Sequence, residues 1–110
     1  VLYVIVPNVD SLACNLLGAQ ARTFDGRNHL VYFSAATLAD SLGRAGLEVV
    51  RTSTRVGSLE PVFAHAAGRD PYAGEEHPLS PWLAAHGGEL EREVERAGLG
   101  YKLHCLATRP

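Results

Sequence analysis

The chain has no methionine, only two cysteines and one tryptophan in 110 residues. Two cysteines are too few for a disulfide framework. Cys14 and Cys105 therefore read as small buried thiols in a reducing cytosol, not as a bridge or a metal site. There is no Cys-x-x-Cys, and no histidine stands four residues from another His or Cys. His65, His77, His86 and His104 thus form no metal constellation. No basic excess exists: 10 Lys and Arg face 12 Asp and Glu, a net charge of −2, which argues against nucleic acid as a main partner. No apolar run approaches membrane-spanning length. Residues 1–6 are apolar but lack the basic flank and small-residue cleavage site of a signal peptide. There is no Gly-x-Ser-x-Gly elbow for a serine nucleophile. The sole Gly-x-Gly, Gly98-Leu99-Gly100, follows a helical pattern and precedes a strand, the reverse of a nucleotide-binding turn. The missing initiator methionine, with a strand pattern beginning at Val1, is what a piece of a longer protein would show.

What is present is ordinary globular composition, 46% hydrophobic and 20% charged, enough for one domain over residues 1–110. Residues 1–6 form an uninterrupted apolar run of strand length, of the kind buried on both faces of a parallel sheet. Pro7-Asn8 ends it. In open α/β sheets ligands sit beyond the carboxyl ends of the strands, so Asn8, Asp10 and Ser11 fall in the expected crevice. Plain turn and cap chemistry explains the same three residues, with Asp10 or Ser11 capping a short helix over 12–17 that Gly18 stops. Residues 19–28 read as a polar loop with an Asp25-Gly26 turn.

Asn28-His29-Leu30-Val31-Tyr32-Phe33-Ser34 is the stretch that organises the rest. Ser34 is a favoured N-cap for a helix over 35–45, with Leu38, Leu42 and Ala45 on one stripe. Gly46 supplies the left-handed residue that ends it, and residues 48–52 are β-prone. A strand, a crossover helix and a second strand follow in order, an α/β pattern. A helix over 60–67 is expected to bury Val62, Phe63 and Ala66. Residues 68–78 look like an exposed loop, either a lid over a substrate or a simple connection. Ser80, with Pro81 behind it, starts a helix that Gly87-Gly88 breaks or bends before it resumes over 89–97. Both long helices end in Arg-Ala-Gly-Leu. Residues 101–108 alternate only partly, which predicts a last strand near a sheet edge.

His29 lies on a loop just before a helix start, anchored by four apolar neighbours. Histidine accepts protons at neutral pH, so this position suits a substrate-facing base. It equally suits a structural histidine bonded to a backbone carbonyl beside the cap.

Val-Pro-Asn-x-Asp-Ser after an apolar strand, the short helix ending at Gly18, His29-Leu-Val-Tyr-Phe-Ser, Thr37-Leu38 and Arg-Ala-Gly-Leu-Glu-Val-Val form an ordered set. The set resembles the C-terminal half of class I S-adenosylmethionine-dependent methyltransferases of small molecules. The resemblance covers residues 1–51. It implies a partial Rossmann-like sheet made of the last three strands, the final one antiparallel, with flanking helices. It implies S-adenosylmethionine as methyl donor, bound mainly by an N-terminal half outside this chain, so no cofactor-binding residue is carried over. It places His29 in the substrate pocket as base or orienting residue, with Tyr32 as a further lining group. Where such enzymes often carry a charged residue before the histidine, this chain has Asn28; Asp25 is the substitute carboxylate. Two alternatives stand beside this reading: a stand-alone α/β interaction or dimerisation module, and an oxidoreductase lacking its dinucleotide half. A first strand with an open apolar edge would dimerise, swap or stay bound to the missing half.

Overall fold

The same local rule closes both long helices. In the computed structural model, which describes residues 1–73 and 78–110, α1 spans Leu12–Leu17, α2 Ala35–Arg44, α3 Glu60–Ala66 and α4 Ser80–Arg96. After α2, Gly46 takes φ +79°, and the Leu47 amide donates to the Leu42 carbonyl at 2.9 Å. After α4, Gly98 takes φ +76°, and the Leu99 amide donates to Val94 at 3.0 Å. These are Schellman endings. Glycine reaches the left-handed region without a Cβ penalty, and the following leucine folds back. At its other end α2 carries a reciprocal capping box between Ser34 and Thr37. Ser11 caps α1 through the Cys14 amide at 3.2 Å.

The strands are β1 Leu2–Pro7, β2 Glu48–Arg55 and β3 Lys102–Thr108, in the order β1-β3-β2. Both neighbours run antiparallel to β3, from Leu2↔Ala107 to Pro7↔Lys102 on one side and from Glu48↔Thr108 to Arg55↔Lys102 on the other. A register shift lies between Val49 and Arg51. The fold is mixed α/β, with four helices and a small, open, three-stranded antiparallel sheet among the described residues.

This order corrects two expectations. β3 is the centre of the sheet, not near its edge. Its alternation comes from one-sided burial: Leu103, Cys105 and Ala107 are buried against Leu38 and Leu42 of α2, while Lys102 on the opposite face is exposed. A central strand covered on one face alternates just as an edge strand does. β1, read as buried on both faces, is instead a border strand. Tyr3 is 56% and Ile5 50% exposed, while Val4 and Val6 pack towards α2. Both border strands have a free edge, but of different kinds. β2 carries Glu48, Arg51, Arg55 and the register shift, the usual devices against edge pairing; β1 carries no charge at all.

Three smaller expectations also change. α4 runs unbroken through Gly87-Gly88. Each helical glycine costs about 1 kcal/mol relative to alanine, which the anchored ends of a seventeen-residue helix absorb. Its N-cap position falls to Leu79; Ser80 is the first helical residue, and its buried hydroxyl has no partner. In α3 the buried residues are Val62 and Ala64; Phe63 is half-buried and Ala66 exposed.

The tail of β1 is locked by Asn8, which is 2% exposed. Its side-chain amide donates to the carbonyls of Gly98 at 3.0 Å and Gly100 at 2.9 Å, and its Oδ1 accepts from the Asp10 amide at 3.1 Å. Its backbone amide donates to Tyr101. The residue thus ties β1 to the junction between α4 and β3. Beside it, Thr54 of β2 donates to the Glu95 carbonyl and accepts from the Gly100 amide, and Glu95 pairs with Arg55 at 3.1 Å. A bridge from Asn8 to Phe33, with Val9 donating to Phe33 at 3.0 Å, draws the chain leading into α2 alongside the end of β1.

Candidate functional site

That bridge decides where His29 lies. Because residue 33 is held beside residue 8, the loop before α2 hangs at the carboxyl end of β1. A cavity of about 380 Å³ opens there. Its floor is apolar, formed by Ile5, Val6 and Pro7 of β1 and Ala13 of α1. Pro61 and Tyr72 close one side. Arg22, Thr23 and His29 come from the long loop, and Tyr101 and Lys102 from the start of β3. Beneath it sits the second buried cluster, Ala13, Cys14, Leu17, Ala21 and Val62, against which Tyr72 and Tyr101 pack.

His29 is gripped by its backbone on both sides. Its amide donates to Asp25 Oδ1 at 3.3 Å, and its carbonyl accepts from the Tyr32 hydroxyl at 2.6 Å. The imidazole has no hydrogen-bond partner among the described residues and forms part of the cavity wall. The ring is thus held in place by its main chain, with both nitrogens unengaged among the described residues.

The other sequence-derived candidates support this loop or the sheet. Tyr32 is absent from the cavity wall. Its hydroxyl proton is committed to the His29 carbonyl, and its ring meets Phe24 edge to face at 5.2 Å. Asp25 also lies off the wall. One carboxylate oxygen accepts from the amides of Arg27, Asn28 and His29 at 3.0, 3.1 and 3.3 Å, and the other from the Asn28 side chain at 3.0 Å. Asp25 therefore acts on the main chain of His29, and Asn28 completes the same knot. Both side-chain amide hydrogens of Asn8 are spent on the α4–β3 junction. Asp10 and Ser11 have turn and cap duties.

The Arg27 amide above all holds the Asp25 carboxyl below the usual carboxylate range; desolvation, the next influence, opposes it, and the amides of His29 and Asn28 with the Asn28 side chain add to the lowering. For a depressed carboxylate the ordering contribution is complete above the unfolded value and disappears as pH falls through the folded one. The loop should therefore stay knotted at neutral and mildly acidic pH and loosen only below the ordinary carboxylate range. Amide resonances of Arg27, Asn28 and His29 followed against pH should move together there. Asp25→Ala should give loosened-loop positions at every pH. A loop unchanged in that variant would remove Asp25 from the positioning of His29.

The charged and aromatic cavity residues not singled out from the sequence are Arg22, Tyr72, Tyr101 and Lys102. Tyr72 accepts a hydrogen bond from the Arg22 amide at 2.9 Å, and the Arg22 guanidinium lies 4.4 Å from the centre of its ring. The Tyr101 hydroxyl is buried without a partner. Burial first, then its Tyr72 and Cys14 neighbours, push it up to about 12, so it is neutral at physiological pH. A cation in a loop expected at the ligand crevice was the one signal available for Arg22. Nothing local marks the other three.

Cys14 and Cys105 are free, buried thiols, and burial pushes Cys105 up, away from reactivity. Among the described residues no group of three or more His, Cys, Asp or Glu could hold a metal ion, and no helix is long and apolar enough to cross a membrane. His77 and residues 74–77 of the expected lid lie outside the described residues. Compared with protein-family models, curated proteins and solved structures, the chain matches none.

Proposed function

We propose that the chain is the C-terminal portion of a cytoplasmic S-adenosylmethionine-dependent methyltransferase that acts on a small molecule, with the cavity at the end of β1 as acceptor pocket. The observation that carries this reading is His29: main chain clamped on both sides, imidazole unengaged, in the wall of a largely apolar cavity at the carboxyl end of a strand. An antiparallel last strand and an uncovered apolar face on β1 also agree with it. The chain offers no glycine-rich turn for an adenosine or a methionine carboxylate, so the donor's site belongs to residues beyond these 110. When bound, the donor supplies a methyl already activated by its sulfonium. The residues here then have two tasks: hold the acceptor in line and take its proton. The cavity floor serves the first and His29 the second.

The free, uncharged edge of β1 favours a second reading, a non-catalytic module that pairs through that strand with a second copy or another partner. The coding sequence upstream of Val1 separates the two. A glycine-rich turn after an apolar strand, roughly eighty residues before Val1 by typical α/β unit lengths, is expected for the methyltransferase. Its absence would leave the module; dimerisation of the 110-residue chain by itself would not, since an open strand edge would pair under either reading.

A further inference from the structure

Resting on the reading of this cavity as an acceptor pocket, we infer that its ligand is a small, flat, apolar molecule bearing a carboxylate, gripped by Arg22 with Lys102 beside it. The charge of the lining decides the sign. Arg22, Lys102 and His29 contribute to the wall, and no Asp or Glu does. Tyr101, being neutral, adds no opposing charge. Among the described residues no carboxylate pairs with Arg22 or Lys102, whereas Arg44, Arg55 and Arg96 each have one. Two cations at one apolar cavity without counter-charge make an anion's place.

The geometry of Arg22 narrows the class. Its guanidinium carbon lies over the Tyr72 ring while its own main-chain amide is tied to the Tyr72 hydroxyl. The guanidinium makes no hydrogen bond among the described residues, so its donors are free. A planar fork with free edges suits a bidentate carboxylate. Ile5, Pro7 and Pro61 offer flat apolar contact for the rest of the ligand. At about 380 Å³ the cavity is near the small end of ligand pockets, room for one or two rings and a short acidic arm. His29 in the same wall would then act on a hydroxyl at the other end of such a molecule.

The test is binding of 4-hydroxyphenylacetate and of its neutral amide to the full-length protein, by calorimetry at low salt, with no methyl donor present. The acid should bind about tenfold to a hundredfold more tightly than the amide, the worth of a hydrogen bond to a charged group. Arg22→Gln should abolish that preference while leaving the amide's affinity unchanged. Arg22→Lys, which keeps the charge and loses the fork, should fall between. Equal affinities for acid and amide, or no saturable binding of the acid, overturns the inference using the unmodified chain, whatever the variants' folding. The outcomes for the two readings differ. A longer protein that prefers the acid yet moves no methyl from S-adenosylmethionine would sink the methyltransferase and keep the carboxylate site. Methyl transfer with no preference for acids would do the opposite.

Discussion

In the intact enzyme as proposed, His29→Ala should lower turnover by about two to four orders of magnitude, the range a positioned general base contributes. The fold should survive it. The imidazole makes no hydrogen bond within the described residues, and the two bonds that fix the loop, from the amide to Asp25 and from Tyr32 to the carbonyl, belong to the main chain that alanine keeps. The loss should fall mainly on kcat, since in the proposed reaction the ring would take up a proton as the methyl moves and contribute little to holding the acceptor. A folded variant that retains activity within about tenfold would make His29 a structural residue and end the proposal for this site.

Gly100→Ala should be the most damaging small substitution to the fold. A Cβ placed there meets the nitrogen of Arg55 at 2.6 Å and its carbonyl carbon and oxygen at 2.8 Å. These are backbone atoms of β2, so no rotamer change can make room. The same glycine gives its carbonyl to Asn8 and its amide to Thr54. Pushing β2 away from residue 100 would thus open the Asn8 brace as well as the start of the β2–β3 ladder. Overpacking with a lost buried hydrogen bond amounts to about 3 kcal/mol. At that cost the melting temperature of a chain this size should fall by roughly 15 °C, read by thermal circular dichroism. A fall under about 3 °C would mean that β2 yields freely and that the junction is not rigid.

The comparison of these two residues shows what the sequence could reveal. The placement of His29 was legible because its surroundings are local: a turn signal at Asp25-Gly26 and the Ser34 cap that starts α2; the apolar anchor expected of its neighbours does not form, since Leu30 is 77% and Val31 64% exposed. Caps and Schellman endings work within a few residues, so α2 and the end of α4 could be placed from their punctuation, while the start of α4, capped at Leu79 and not Ser80, and its continuity through Gly87-Gly88 could not. Gly100 was only half of an unremarkable Gly-x-Gly, because its constraint comes from Arg55 on another strand. The cavity fails the same way. Arg22 and Tyr72 are fifty positions apart, and their stacking follows from how α1 and α3 pack. The position of β3 was misjudged for a different reason: half-exposed alternation is produced equally by an edge strand and by a central strand with one bare face. Pattern alone cannot separate them. Asn8 read equally as crevice residue and turn residue; its bonds to the α4–β3 junction lie in tertiary space, which spacing does not encode.

The order of the strands also governs when the sheet can exist. β1 emerges from the ribosome about a hundred residues before β3, its one neighbour in the sheet among the described residues. Until that segment is synthesised, the uncharged apolar strand lacks this partner. Such distant pairing slows folding and leaves the nascent polypeptide in need of a chaperone's shelter.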